Sequence, residues 1–298
     1  MKMGKNSNYR VIDAHGHPDW CGHDLKKTLA NMKMYGIDKM WLLSWEAPMD
    51  ECLHNYSTVP GLIYGWNKGP IPFSRCISYA ERAPEKFILG HAPDPRRPQA
   101  IDEMQAAIEI YNVKVCGEFK LRMMYDNPDA IRLYRFCGKK NVPVLMHFDY
   151  DYDSPNVKYP RPCYWQGGGI DVLERVLQKC PETNFLGHAP GFWVHLSGDD
   201  KYKTERYPTG PIVSGGKVTE LLRKYPNLYC DMSAGSAIVA LKRDVKFSYD
   251  FLVEFQDRVL YARDCFGNEH QEFLDSLDLP EDVLRKIYGQ NSENLISK

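Results

Sequence analysis

The stretch "DAHGH" places His15 and His17 two residues apart at the end of a short apolar run. In an extended strand side chains alternate at period two, so both imidazoles leave the same face, roughly 6.6 Å apart along the chain. At that separation they can tilt onto one divalent cation, although an HxH pair alone reads equally well as two polar residues at a strand end. Other runs close with donors of the same kind. "VPVLMH" ends in His147, "TNFLGH" in His188 and "VLYARD" in Asp264, while "GEFKL" puts Glu118 and Lys120 on one face with Cys116 below them. Imidazole and carboxylate are the ligands a Zn2+ or Mn2+ site takes, and an open position leaves room for water. A metal-free glycosidase barrel needs two carboxylates, which Glu118 and Asp231 supply only loosely, and it leaves the histidines without a purpose. A barrel that binds without turnover would have lost donors that this chain keeps.

These residues need a scaffold that gathers strand ends. Eight apolar runs read as strands: 10–17, 39–45, 86–93, 113–121, 142–149, 183–190, 227–234 and 258–264. Between them lie stretches with helical spacing, such as "DLKKTLANMKMYG", where Leu25, Leu29, Met32 and Met34 form a stripe and Gly36 a stop. Eight strand–helix units in 298 residues predict a (β/α)8 TIM barrel in a single domain, 1–298. A doubly wound sheet competes. Against it, nearly every run is apolar first and polar at its C-terminal end, as in a barrel whose strand ends meet at one mouth. Long connections follow strands two, five and six and should roof that mouth. Trp45, Tyr164, Trp165 and Trp193 fall there and could form an aromatic wall, with Trp193 a candidate substrate contact; loop packing explains each one as well.

Composition narrows the partners to small molecules. Net charge is −1, which argues against nucleic acid or a membrane surface, and no run approaches a membrane span. The polar start shows no signal peptide, and nine cysteines without a CxxC pair suit a reducing cytoplasm. "SGDDKYKTER" reads as a solvated excursion, and "GGG" at 167–169 as a turn.

In order along nearly the whole chain, "VIDAHGH", "GEFKL", "VPVLMH", "KCPETNFLGHAPG", "KYPNLYCDMSAGS", "VLYARD" and the closing "NSENLI" resemble the motifs of the amidohydrolase-related (amidohydrolase 2) family of metal-dependent barrels. The resemblance implies metal ligation by His15, His17, His147 and Asp264, and a catalytic or second-metal role for His188. It implies one or two divalent ions, most simply Zn2+, with Mn2+ or Fe2+ as alternatives. It implies a hydrolase that turns a metal-activated water on an amide, lactone or ester carbonyl of a small molecule, an anionic one among the candidates. Asp264 would double as a base on that water. The same family contains decarboxylases and hydratases, so a lyase acting on a small carboxylate is the second expectation. Oligomers are usual among such barrels, so a homo-oligomer is possible by resemblance.

Several residues depart from the pattern. Glu118 is expected to reach the metal or its water, with Lys120 as a contact for a substrate anion; a buried Glu118–Lys120 ion pair is the plainer reading. Arg263 should point away from the mouth into a structural ion pair, Asp231 and Ser233 should be hydrogen-bonding supports, and Asp13 a deeper support on the face of His15 and His17. His23, His54, His195 and His270 read as loop or surface residues. Finally, the pentapeptide LGHAP occurs twice, from Leu89 and from Leu186. Equal spacing aims His91 and His188 the same way from their strands. His188 stands where the family has its histidine, whereas His91 is an extra, expected to touch substrate or support the site.

Overall fold

A computed structural model describes residues 9–48, 51, 71–149 and 166–297. His54, Tyr164 and Trp165 lie outside the described residues.

Apolar runs with little alternation form parallel strands, as expected where both faces are covered. Three of them, β1 (Ile12–Gly16), β2 (Lys39–Leu43) and β3 (Phe87–Gly90), make one sheet. A second sheet runs β10–β9–β8–β6–β4, from β4 (Cys116–Phe119) through β6 (Val144–His147), β8 (Phe185–His188) and β9 (Leu228–Asp231) to β10 (Val259–Leu260). Two seams join the sheets into a ring. At one, His91 N–H donates to the Val115 carbonyl (2.9 Å) and Lys114 N–H to that of Leu89 (3.0 Å). At the other, Ala14 N–H donates to Tyr261 O and Asp264 N–H to His15 O, both at 3.0 Å. The result is the expected eight-stranded TIM barrel. The short β5 (Met123–Met124) and β7 (Gln166–Gly167) pair separately, outside the ring.

Helices cover the outside. They include α1 (Leu25–Met34), α2 (Phe73–Arg82), α3 (Ala100–Tyr111), α4 (Pro128–Lys139) and α5 (Ile170–Lys179). After β8 come the single turn α6 (Pro190–Trp193) and α7 (Lys217–Lys224). Helix α1 starts at Asp24, whose carboxylate accepts from Lys27 N–H, and buries Leu25 and Met32. Two helices after β9, α8 (Ala234–Lys242) and α9 (Val245–Glu254), were not among those the spacing suggested. "AGSAIVALK" is too uniformly small and apolar to show a stripe. The chain closes with α10 (Glu269–Ser276), α11 (Glu281–Arg285) and α12 (Asn291–Ile296). No helix among the described residues is long and apolar enough to cross a membrane.

Two separate apolar clusters fix which way each side chain faces. The lumen cluster takes Ile12, Trp41, Val115, Leu145, Leu186 and Leu260 from six strands, with Leu295 of α12 as its floor. The outer cluster lies between strands and helices and holds Val11, Met40, Leu89, Cys116, Phe119 and Tyr261. From these, β6, β8 and β10 keep strict alternation up to the mouth: Leu145 then His147, Leu186 then His188, Leu260 then Ala262 then Asp264.

Strands β1 and β4 do not. Asp13 pairs with Met40 and Gly16 with Leu42, three residues against two; Cys116 pairs with Val144 and Phe119 with Met146, again three against two. Each is a β-bulge, which adds a residue and reverses the face of everything after it. Ile12 and Ala14 fill the lumen, yet His15 and His17 also turn inward; Val115 fills the lumen, yet Glu118 turns inward. Two expectations are corrected by this. Asp13 faces outward and bonds Arg263, whose Nε donates to Oδ2 at 2.7 Å with both groups fully buried. Cys116 packs in the outer cluster, on the side opposite Glu118. Arg263 forms the structural ion pair expected of it, and removing one partner of such a pair costs about 3–5 kcal/mol.

Candidate metal centre

His15 and His17 present their Nε2 atoms to each other at 3.1 Å. Their Nδ1 atoms are committed elsewhere. His17 Nδ1–H donates to the Leu43 carbonyl at 2.8 Å, and His15 Nδ1–H donates to Asp231 Oδ2 at 2.6 Å. Each ring therefore turns an Nε2 lone pair on the other, an arrangement that needs a positive centre between them. Two carboxylates surround it. Asp264 Oδ1 lies 3.8 Å from His15 Nε2 and 3.6 Å from His17 Nε2, and Glu118 Oε2 lies 3.6 Å from His17 Nε2. Donors around one ion with bonds near 2.1 Å stand about 3–3.5 Å apart, so the spacing fits a divalent cation. Asp264 Oδ1 is buried without a hydrogen-bond partner, as a waiting ligand would be.

Protonation is consistent with this fit. Burial alone would lower His15, but Asp231 and Asp264 outweigh it and hold the ring up at about 10. In the metal-free protein that extra proton supplies the positive centre. His17, buried and facing His15, is lowered to about 4. Burial raises Asp264 to about 7. Burial also opposes charge on Glu118, but Lys120 and His147 overcome it and keep the carboxyl well below its usual range.

Glu118 has a second oxygen, and it serves a second group. His147 Nδ1 lies 2.6 Å from Oε1 and His188 Nε2 lies 3.6 Å from it. The structure thus divides the expected ligands: His15, His17 and Asp264 cluster with Oε2, and His147 pairs with Oε1. His188 also meets Ser233 Oγ through its Nδ1 at 2.9 Å. Lys120, nearly buried, stacks its ammonium 4.0 Å above the Trp45 ring, whose Nε1–H donates to the Lys120 carbonyl.

Two expected substrate contacts lie elsewhere. Trp193 is buried in the outer cluster against Phe192 and Phe251, and its Nε1–H donates to the Asp231 carbonyl at 3.0 Å. It braces the end of β9 from behind. His91 stacks on Phe73 of α2, centroids 4.5 Å apart, with its Nδ1 3.2 Å from Ser44 Oγ. Among the loop histidines, His195 and His270 are buried rather than exposed.

The Amidohydrolase family model matches residues 73–297. The chain belongs to the Amidohydrolase family. Solved structures of similar fold include 5-carboxyvanillate decarboxylase from Novosphingobium aromaticivorans, complexed with manganese (16% identity, TM-score 0.63, covering 100% of this chain and 98% of that one). A dihydroxybenzoic acid decarboxylase from Polaromonas, with bound manganese, is similar at 14% identity and TM-score 0.59, with 97% of each chain covered. An uncharacterized TIM-barrel protein from Bordetella bronchiseptica shares 17% identity at TM-score 0.62, covering 97% of this chain and 98% of that one. No curated protein matches the chain in sequence. At these identities the likeness is one of fold.

Two further residues brace the site without any signal in the sequence. Trp20 Nε1–H donates to the Asp264 carbonyl, and the Tyr125 hydroxyl meets the carbonyls of both Phe119 and His147. Neither has a local signal, because each is defined by a partner more than twenty residues away or on another strand.

Proposed function

We propose that the protein is a metal-dependent hydrolase acting on a carbonyl carbon of a small anionic molecule. The observation that carries this reading is the pair of facing Nε2 lone pairs of His15 and His17 with the unpartnered Asp264 oxygen beside them. His15, His17, Glu118 and Asp264 would hold one divalent cation, Zn2+ or Mn2+, and His147 would fix the orientation of Glu118. When bound, the cation supplies Lewis acidity and a nucleophile usable at neutral pH. Asp264 would take a proton from the attacking water. His188 would polarise the carbonyl oxygen or protonate the leaving group. The Lys120 ammonium would anchor a substrate carboxylate. All seven described cysteines are free thiols, in keeping with a reducing cytoplasm.

A second reading, a metal-dependent decarboxylase, is favoured by the decarboxylases of similar fold. The same Lys120 would hold the carboxylate, and Asp264 in its acid form could protonate carbon.

One experiment separates the two. Purified protein is analysed for metal and then offered a γ-lactone, an N-acyl amino acid and p-nitrophenyl acetate beside 2,6-dihydroxybenzoate and 5-carboxyvanillate. Acid release without CO2 supports the hydrolase; CO2 release supports the lyase. Protein without bound metal, with a His15→Ala form that behaves like wild type, sinks both.

A further inference from the structure

Ser233 is the N-cap residue of α8, a position where serine ordinarily accepts a hydrogen bond from the helix, yet its side chain caps nothing. The N–H of Ala234, the first helical residue, donates to the Arg263 carbonyl at 2.9 Å. The Ser233 hydroxyl has turned into the barrel mouth, where it has two hydrogen-bond neighbours: His188 Nδ1 at 2.9 Å and His15 Nδ1 at 3.3 Å.

Only one of these can accept its proton. The 2.6 Å contact between His15 Nδ1 and Asp231 Oδ2 requires a proton between them, and imidazole is the stronger base of the two. His15 Nδ1 is therefore a donor. Asp231 Oδ1 already accepts Ser233's own backbone N–H at 2.7 Å, which fixes the carboxylate from the other side. That leaves His188 Nδ1 as the acceptor for the hydroxyl hydrogen.

We propose that Ser233 is a positioning residue that holds His188 with its proton on Nε2, turned towards Glu118 and the substrate. In this state His188 Nε2 is a hydrogen-bond donor and cannot ligate a cation. This tautomer disfavours a second metal on Glu118, His147 and His188, although their donor atoms gather closely enough for one. Without the hydroxyl, a proton on Nδ1 would face the Asp231 carboxylate, whose Oδ2 lies 3.8 Å away. The ring would then turn a lone pair, not a proton, on the substrate. This inference rests on the catalytic role given to His188 above, but its readout does not.

The test is 15N NMR of histidine-labelled protein, with the His188 signals assigned from a His188→Gln variant, on the Zn2+-loaded and the metal-free forms. Wild type should show a protonated, pyrrole-type Nε2 and a pyridine-type Nδ1 in both. Ser233→Ala, which keeps the backbone N–H to Asp231, should move the proton to Nδ1. Whichever substrate the panel yields, its kcat should fall about 10–100-fold with Zn2+ content unchanged. Any fall in Tm should be only that of one lost buried hydrogen bond, because no helix cap is lost. A protonated Nδ1 in wild type overturns the proposal, as does a Ser233→Ala protein with the wild-type tautomer. So does a kcat loss that merely tracks a lower Tm. If no substrate turns over, the hydrolase and lyase readings fail while the tautomer result still decides this one.

Discussion

The two copies of LGHAP are identical in sequence and opposite in phase. In the second, Leu186 lies in the lumen and His188 reaches Glu118 of the candidate metal centre, while Gly187 faces the helices. In the first, Leu89 lies in the outer cluster, Gly90 faces the lumen beside Leu43, and His91 stacks on Phe73 of α2. The pentapeptide does not decide which face its histidine takes. The pairing of each strand with its neighbours does: Gly90 sits opposite Leu43, a lumen residue, whereas His188 sits opposite His147. A one-residue difference in register exchanges every side chain between faces.

Mutation should separate the copies most sharply at the histidines. His188→Asn should lose about 10²–10⁴-fold in turnover if the ring moves a proton, with Tm near wild type; steady-state rates and a melting curve check both. His91→Asn should leave turnover within a few-fold and lower stability, since the ring packs outside the mouth. If instead His91→Asn abolishes turnover with Tm intact, the contrast breaks.

The glycines sharpen it next. A Cβ at Gly187 meets the Phe192 ring, and one at Gly90 meets Leu43 and the Gly117 carbonyl of bulged β4. Overpacking typically costs about 1–3 kcal/mol, so both alanine variants should be destabilised in urea titrations. Only Gly90→Ala presses on the strand that carries Glu118, and it should also weaken Zn2+ binding measured by calorimetry.

The smallest expected effect at the copies is the loss of the His91–Phe73 stack. Phe73→Leu should cost about 0.5–1.5 kcal/mol and leave activity unchanged.

A pH series sets the site apart from its scaffold. Burial lowers His17 and His195 to about 4, so the unfolded chain takes up protons below its ordinary histidine range before the folded one does. Stability of the metal-free protein should therefore fall as pH drops from about 6.5 towards 4. His15, raised to about 10, acts in the opposite sense: its contribution is complete below pH 6.5 and fades as pH rises through about 10. His195→Gln should flatten the acid limb and leave the alkaline limb untouched.

The barrel was legible where strands keep their period. Leu145 and His147, Leu186 and His188, and Leu260 and Asp264 stand at even spacing, so reading the apolar run also placed the polar end. Strands β1 and β4 hid their geometry. A bulge is a mismatch between two strands, and no single strand encodes it. The equal spacing of His15 and His17 survives, because both follow the bulge. The position of Asp13 does not, because it precedes it. The phase of the first LGHAP was hidden for a related reason: "KFILG" is apolar on both faces, so no alternation shows which side is the lumen. Trp193 was misplaced because the residues after β8 turn at once into α6, tucking the ring behind β9.

The division of the ring into three strands and five carries a further consequence. His15 and His17 stand on one sheet, while Glu118, Asp231 and Asp264 stand on or beyond strands of the other. The seam between Ile12–Gly16 and the end of β10 is carried by two backbone hydrogen bonds and the Asp13–Arg263 pair. A cation gripped from both sides would act there as a rivet. Its loss should be felt first as faster solvent exchange of the Ala14 and Asp264 amides, with the unbroken β6–β8 pairing still protected.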